Sequence, residues 1–444
     1  MASTYLQRSA SGTQSNQKIW THSGWYKRNG LGTSQLFMHE TASSHTQKWE
    51  HKFNSDDYFY YGWWDGTNEY AGRTNSKYKD TNGWFHVVVR MDTTQSTADD
   101  RLRIYINGEQ LTDWNFKNNP AQNAQLNLAQ HPMVYGRYQA ASPSAYFDGL
   151  MSHIHFCDGY SYAPTEFGET DSTTGEWKIK TDVSVSYGNL GHFILKDGNS
   201  VTDQSGNGNN FTVSGGTLTK TEDNPSNVFA TMNPLDNYYA SSDFSEGNNT
   251  VDMNDSGNET YNTSTLGATA GKYYAEVKLI DSSAKPMIGV VANNAVAVGT
   301  VLGNTGHGYA YMGEDGKYKT NSTNTTYGTT YTTNDIISIA LDLDNNKLYF
   351  AKNGTWQNSG VPTSGSTGTG AISITAPSST TTGAYFFASG KRHSDNNKVS
   401  WNFGNGYFGT TAISSEGTNA SGIGIFEYNV PTGYTALSTK GLNE

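Results

Sequence analysis

"LDLDNNKLYFAKNGTW", residues 341–356, decides what kind of chain this is. Asp342, Asp344, Asn345 and Asn346 offer oxygen ligands in the manner of a calcium loop. The flanks argue otherwise. Ile337, Ile339, Leu341 and Leu343 alternate with Ser338, Ala340, Asp342 and Asp344. Beyond the asparagines, Leu348 and Phe350 alternate with Lys347, Tyr349 and Ala351. A period of two on both sides is a strand and its antiparallel return, with a turn at Asp344–Lys347 whose asparagines tolerate positive φ. A helix–loop–helix calcium site needs Gly at its sixth position and Glu at its twelfth. Counted from Asp342, those positions hold Lys347 and Asn353. The stretch reads as a hairpin.

The rest of the chain agrees with that reading. Its 444 residues suffice for two or three domains. Gly (48) and Tyr (29) are abundant and Pro (10) is scarce, and no long run of Ala, Leu, Glu and Lys keeps a helical period. Such a chain packs rings and β-branched residues between sheets and spends Gly and Asn on turns. Segments such as "KIWTHSGWYKR", "WFHVVVRMD" and "LRIYINGEQL" read as strands, and Asn107-Gly108 marks a tight hairpin. Trp20, Trp25, Trp84, Tyr105 and Phe350 are assigned to the core. The expectation is all-β, two consecutive antiparallel β-sandwiches. Their bounds are 1–218 and 241–430, with a polar linker at 219–240 around Pro225 and Pro234 and a tail at 431–444.

Charge and cysteine count narrow the function. A net charge of −11 without a basic patch argues against a nucleic-acid partner. A single cysteine, Cys157, cannot form an internal disulfide, so folding needs no oxidising compartment. No stretch approaches a membrane span, and the N-terminus lacks a basic start followed by an apolar run. The expectation is no membrane insertion and synthesis in a cytoplasm without a signal peptide.

Against this pattern a resemblance can be stated. "GKYYAEVKL", "MIGVV", "ISIALDLDNNKLYFAKNG" and "VSWNFGNGYF", in that order, resemble the SPRY domain, a β-sandwich used for protein–protein recognition. "WTHSGWYKRNGLGTSQLF", "WFHVVVRMDTTQSTADDRLRIYINGEQLT", "YFDGLMSHIHFCDG" and "DQSGNGNNFTV" resemble a laminin-G/concanavalin A-like lectin sandwich, a jelly roll, in the version common in bacteriophage virion proteins. The resemblance implies a virion structural protein on the particle exterior, a tail fibre or appendage adhesin that contacts host-surface polysaccharide and other virion proteins. A capsid-decorating or connector protein and a polysaccharide depolymerase are the alternatives. Similar phage proteins start with one further strand, here reduced to "YLQRS", which leaves an edge beside "NNFTVSG". Either "TYLQRS" or a neighbouring subunit's strand would cover that edge, and the chain is expected to form a homo-oligomer, a trimer if it belongs to a fibre.

Glucanases of the concanavalin-like fold use Glu-x-Asp-x-x-Glu on one strand, yet no two glutamates here lie five positions apart. No GxSxG elbow accompanies a serine, and the expectation is no enzyme. His153, His155 and Cys157 share one strand face opposite Leu150, Ile154 and Phe156, an incomplete zinc set that reads as an outer face with incidental histidines. No cofactor is expected. Calcium at a laminin-G rim would use Asp148 or Asp65, which no motif singles out. In "DDYFYYGWWDGTNEY", residues 56–70, the glycan contacts are assigned to Trp63, Trp64, Asp65 and Tyr70. The competing reading has Tyr58, Tyr60 and Trp64 filling the sandwich.

Overall fold

The chain folds as two compact units, Met1–Lys220 and Thr221–Glu444. The computed structural model describes the chain except residues 1–2, 10–11, 42–47, 127–131, 139–143, 197, 199, 237–241, 255–258, 284, 293–299, 393–395 and 444; of residues 36–41 it describes the backbone.

In the first unit the strands begin with β1 (Tyr5–Arg8), β2 (Ile19–Arg28), β3 (Gln35–Thr41) and β4 (Lys48–Phe53). The next are β5 (Tyr58–Trp64), β6 (Glu69–Lys77), β7 (Phe85–Asp92) and β8 (Leu102–Ile106). Then come β9 (Glu109–Gln110), β10 (Trp114–Lys117), β11 (Met133–Tyr135) and β12 (Gly149–Asp158). The last are β13 (Gly168–Thr170), β14 (Trp177–Ile179), β15 (His192–Ile194) and β16 (Thr212–Ser214). An eight-stranded sheet runs β10-β6-β5-β4-β3-β11-β1-β16, and a six-stranded sheet runs β15-β12-β2-β7-β8-β9. Between them lies a core of alternate residues: Trp20 on β2, Trp49 on β4, Tyr61 and Trp63 on β5, Val87 and Val89 on β7, Phe156 on β12. The Trp20 and Trp49 rings meet edge to face at 4.8 Å. Each indole buried this way contributes about 2–3 kcal/mol by leaving water. Asn107 and Gly108, at φ +50° and +80°, close the two-residue hairpin between β8 and β9.

The edge left by the short N-terminus is filled by the chain itself. β1 lies between β11 and β16, with Leu6 opposite Tyr135 on one side and Val213 on the other. This register removes the argument for a strand supplied in trans at that position. The "DQSGNGNNF" loop folds around Asp203, which accepts the Phe193, Ser205 and Asn209 amides at 2.8–2.9 Å.

The second unit is also a sandwich. One sheet runs through Asp243–Ser245, Thr250–Met253, Asn397–Asn402, Lys272–Asp281, Ile336–Asp342, Lys347–Lys352 and Thr355–Trp356. The other runs through Thr260–Thr263, Phe386–Lys391, Pro286–Val291, Gly308–Met312, Lys317–Thr320 and Thr323–Thr326. From Thr221 onward the segment read as linker belongs to this unit, as does the tail. Ala230 and Met232 are buried in its core, and Phe229 pairs with Ser438. Thr435–Ala436 adds a parallel strand beside Tyr273 and Tyr274. Pro225 and Pro234 mask the apolar Phe229-Ala230-x-Met232 between them.

The 341–356 stretch is a hairpin in this sandwich. Asp342 pairs with Lys347, and Asn346 turns the chain at φ +54°. Asp342 is fully buried; Oδ1 accepts the Asn345 amide at 2.9 Å, and Oδ2 the Asn345 side chain at 2.8 Å with Lys272 Nζ at 3.3 Å. Asp344 Oδ1 accepts the Gly271 amide at 2.8 Å. These carboxylates hold a turn. Asp342→Asn is therefore expected to cost about 1–3 kcal/mol by leaving Lys272 unpaired, equally with and without calcium. Unfolding temperatures of both forms in millimolar calcium and in chelator check this, and a calcium-dependent rise lost in the variant would contradict it.

Candidate functional site

The parity of β5 sets the face that the first unit shows to solvent. Asn54 Oδ1 accepts the Tyr58 amide at 3.0 Å, and Asp57, at φ +67°, is held by Arg28 Nη2 at 2.8 Å. From that pinned turn Phe59, Tyr61 and Trp63 enter the core, while Tyr58, Tyr60 and Trp64 point outward and are half-buried. Both aromatic expectations are corrected here. Trp63 is 0% exposed and cannot touch a glycan. Tyr58, Tyr60 and Trp64 do not fill the sandwich.

Of the other expected contacts, Asp65 and Tyr70 hold a turn. Asp65 Oδ1 accepts the Thr67 and Asn68 amides at 2.8 and 2.7 Å, and Tyr70 Oη donates to Oδ2 at 3.2 Å. Partial burial pushes the Asp65 pKa up, but these donors outweigh it and hold it below the usual carboxylate value. Tyr70 faces the Trp63 ring at 5.1 Å. Trp64, Asp65 and Tyr70 are all half-buried, with Trp64 on the outer face of β5.

The outer face has residues that sequence reading passed over. Register places Lys48, Trp64 and Glu69 in one row across β4, β5 and β6, and Glu50, Gly62 and Ala71 in the next. Lys52, Tyr60 and Arg73 form a third row, continued by Phe116 on β10. Phe116 is 42% exposed. The Tyr60 ring lies over Gly62: a Cβ there would sit 3.0 Å from Tyr60 Oη. Lys52 Nζ stands 4.8 Å above the Tyr60 ring, and Arg73 and Lys77 stand 4.8 and 4.9 Å above Tyr58. Glu50 is buried; Oε1 accepts Lys52 Nζ at 3.1 Å and Oε2 has no hydrogen-bond partner. Burial, with Glu50 and Glu69 nearby, holds the Tyr60 phenol neutral, well above its ordinary pKa. The alternation in "YFYYGWW" carried the signal, but rings on both faces hid which parity was inward.

The "HIHFC" strand is a second correction. Ile154 and Phe156 do face the core, but the opposite face is not solvent-facing. His155 and Cys157 are covered by a segment carrying Tyr162, Phe167, Val183, Val185 and Tyr187. His155 Nδ1 meets Tyr187 Oη at 2.8 Å, and burial raises the Cys157 thiol pKa. His153 sits in a bulge at φ +46°, beside the break in register between Ser152 and His155. Among the described residues no group of three or more His, Cys, Asp or Glu is placed to hold a metal. Asp148 is exposed and accepts Asn29 Nδ2 at 3.1 Å.

In the second unit the conspicuous ionisable group is Glu276, fully buried on the strand Lys272–Asp281. Oε1 accepts Tyr274 Oη at 2.9 Å and the Tyr428 amide at 2.8 Å; Oε2 accepts the Glu427 amide at 2.8 Å and Asn402 Nδ2 at 3.3 Å. Its role is to clasp the 427–428 backbone against the sheet.

Comparison with known proteins assigns both units. The concanavalin A-like lectin/glucanases superfamily matches residues 2–163, and the SPRY domain matches residues 272–377. Ran-binding protein 9 of Danio rerio is 34% identical over 94 residues, 21% of this chain and 16% of that protein. Ran-binding protein 9 of Homo sapiens is 33% identical over 94 residues, 21% of this chain and 13% of that protein. The chain thus covers only a small share of the length of these relatives. Among solved structures, the SPRY domain of human HERC1 aligns with 34% of this chain and 87% of its own, at 15% identity and a TM-score of 0.27. The heptameric SAP-like pentraxin of Limulus polyphemus aligns with 44% of this chain and 86% of its own, at 13% identity and a TM-score of 0.30. The chain carries a concanavalin A-like/laminin G domain followed by a SPRY domain.

Proposed function

We propose that this chain is a bacteriophage virion protein of the particle exterior, a tail-fibre or appendage adhesin whose lectin-class unit contacts host-surface glycan. The observation that carries this reading is the outer face of β4, β5 and β6, where Trp64 and Tyr60 lie half-buried on a lectin-class sandwich beside Lys52 and Arg73. Aromatic faces stack on the C–H faces of sugar rings while charged neighbours bind hydroxyls and acids. The protein acts by presenting that rigid surface and catalyses nothing. It is made in the host cytoplasm and assembled into the virion with other virion proteins.

A second reading, a capsid-decorating or connector protein, is favoured by the SPRY unit, since that domain class serves protein recognition. A particle map with antibody against this chain distinguishes the two. Label on a tail appendage is the expected result; label in a regular array over the capsid would favour the second reading, and its absence from purified particles would overturn both.

A further inference from the structure

Resting on the glycan-binding reading above, we propose that the ligand is an acidic polysaccharide, bearing carboxylates or sulfates, laid across the outer face of β4, β5 and β6, with Arg73 and Lys77, carried on the Tyr58 ring, as its anion contacts.

Charge placement carries the argument. The chain as a whole holds −11, yet this face gathers Lys48, Lys52, Arg73 and Lys77 against Glu50 and Glu69. Elsewhere Lys117, Lys272, Lys352 and Lys398 each sit on a carboxylate, whereas Arg73 and Lys77 make no ion pair among the described residues. Both cations stand over the Tyr58 ring instead, and the Arg73 guanidinium adds only the neutral Asn115 Oδ1, at 2.8 Å. A cation over a ring keeps its charge available to an incoming anion, whereas one locked on a carboxylate does not. Arginine is suited to this because its planar fork can stack on a ring and bind a carboxylate or sulfate edge together.

Two buried polar atoms on the same face are unsatisfied: Glu50 Oε2, an acceptor, and Arg73 Nε, a donor. Glu50 is 3% exposed, and its Cγ lies 3.4 Å from where a Cβ on Gly62 would sit, so the carboxylate borders the Tyr60 ring. A buried carboxylate oxygen without a donor is costly. Gly62 lets the Tyr60 ring lie close to the sheet, since a Cβ there would press on it at 3.0–3.1 Å.

The test uses the full chain and three probes: polygalacturonate for carboxylate, dextran sulfate for sulfate and dextran as the neutral polymer. Affinities are measured at about 20 mM and about 500 mM NaCl, because exposed charge contacts are screened at the higher salt. The expected result is binding to at least one polyanion and not to dextran, weakened about tenfold or more by high salt and by Arg73→Gln combined with Lys77→Gln. The unfolding temperature should be unchanged, and Arg73→Lys should retain part of the binding. Should the double variant fold poorly, the exposed Lys77→Glu alone must still weaken binding. Equal binding to dextran, or polyanion binding indifferent to these substitutions, overturns the inference and leaves the adhesin reading standing. Failure to bind all three polymers and host-surface polysaccharide overturns both.

Discussion

At pH 5 the first unit is expected to have lost about 10 kcal/mol of its stability at pH 7 while the second remains folded. His22, His51, His86, His155 and His192 all lie in the first unit with at most 2% of their surface exposed. Their partners include phenols, indoles and a hydroxyl: Tyr26 for His22, Trp49 for His51, Ser23 and Trp177 for His86, Tyr187 for His155, and Tyr135 with the Leu190 backbone for His192. Burial is the main cause that holds all five neutral, with His22 and His86 pushed down to about 3. The sign follows from linkage. The unfolded chain takes up protons below about pH 6.5 and the folded one does not, so stability is present above that pH and lost as it falls. Each histidine contributes about 1.4 kcal/mol per pH unit, and five together about 7. Against a typical stability of about 5–15 kcal/mol, half-unfolding falls near pH 5.

Glu276 gives the second unit the opposite slope. Burial pushes its pKa up to about 7, against its four hydrogen-bond donors. The stability it contributes is full below about pH 4.5 and is lost as pH rises through 7. Calorimetry of the full chain from pH 7.5 to 4.5 should therefore show two transitions moving apart. His192→Gln should flatten the first unit's slope by about a fifth. A first transition that stays in place between pH 7 and 5 would show that these histidines can be protonated in the fold.

Adjacent tryptophans should respond in opposite ways to truncation. Trp63→Ala removes a fully buried indole packed on Tyr70 and is expected to cost about 3–5 kcal/mol through lost burial and the cavity left behind. For a unit of this size that lowers the unfolding temperature by roughly 6–20 °C. Trp64→Ala removes a half-buried ring from the outer face and should change stability by no more than about 1 kcal/mol. Thermal unfolding of the two variants side by side decides the parity of β5. Equal losses, or a greater loss at Trp64, would place the wrong ring in the core.

That parity marks the limit of what the sequence makes legible. The hairpin at 341–356 can be read because one face alternates Ile, Leu and Phe while the turn is built of Asp and Asn. The same reasoning fails on "YFYYGWW", where both faces are aromatic and the deciding feature is a turn pinned by Asn54 and Arg28, residues separated along the chain. It fails again at His155 and Cys157, because the cover comes from a Ser-, Thr- and Tyr-rich stretch that reads as loop. Phe229 and Ala436 escape a reading by periodicity because short apolar pieces between prolines and glycines show none. The strand Ile336–Asp342 is buried along its whole length since Phe229, Phe426 and Tyr434 cover the outer face holding Ala340. The outer-face cations could be found only once register set Lys52, Tyr60 and Arg73 side by side.

The central claim, recognition of host glycan by the outer face of the first unit, is tested most directly by binding of the purified full chain to host cells and to their isolated surface polysaccharide. The account predicts saturable binding to both, weakened more than about tenfold by Trp64→Ala with the unfolding temperature essentially unchanged. A folded protein that binds neither cells nor polysaccharide, or one whose binding is indifferent to Trp64→Ala, would contradict it.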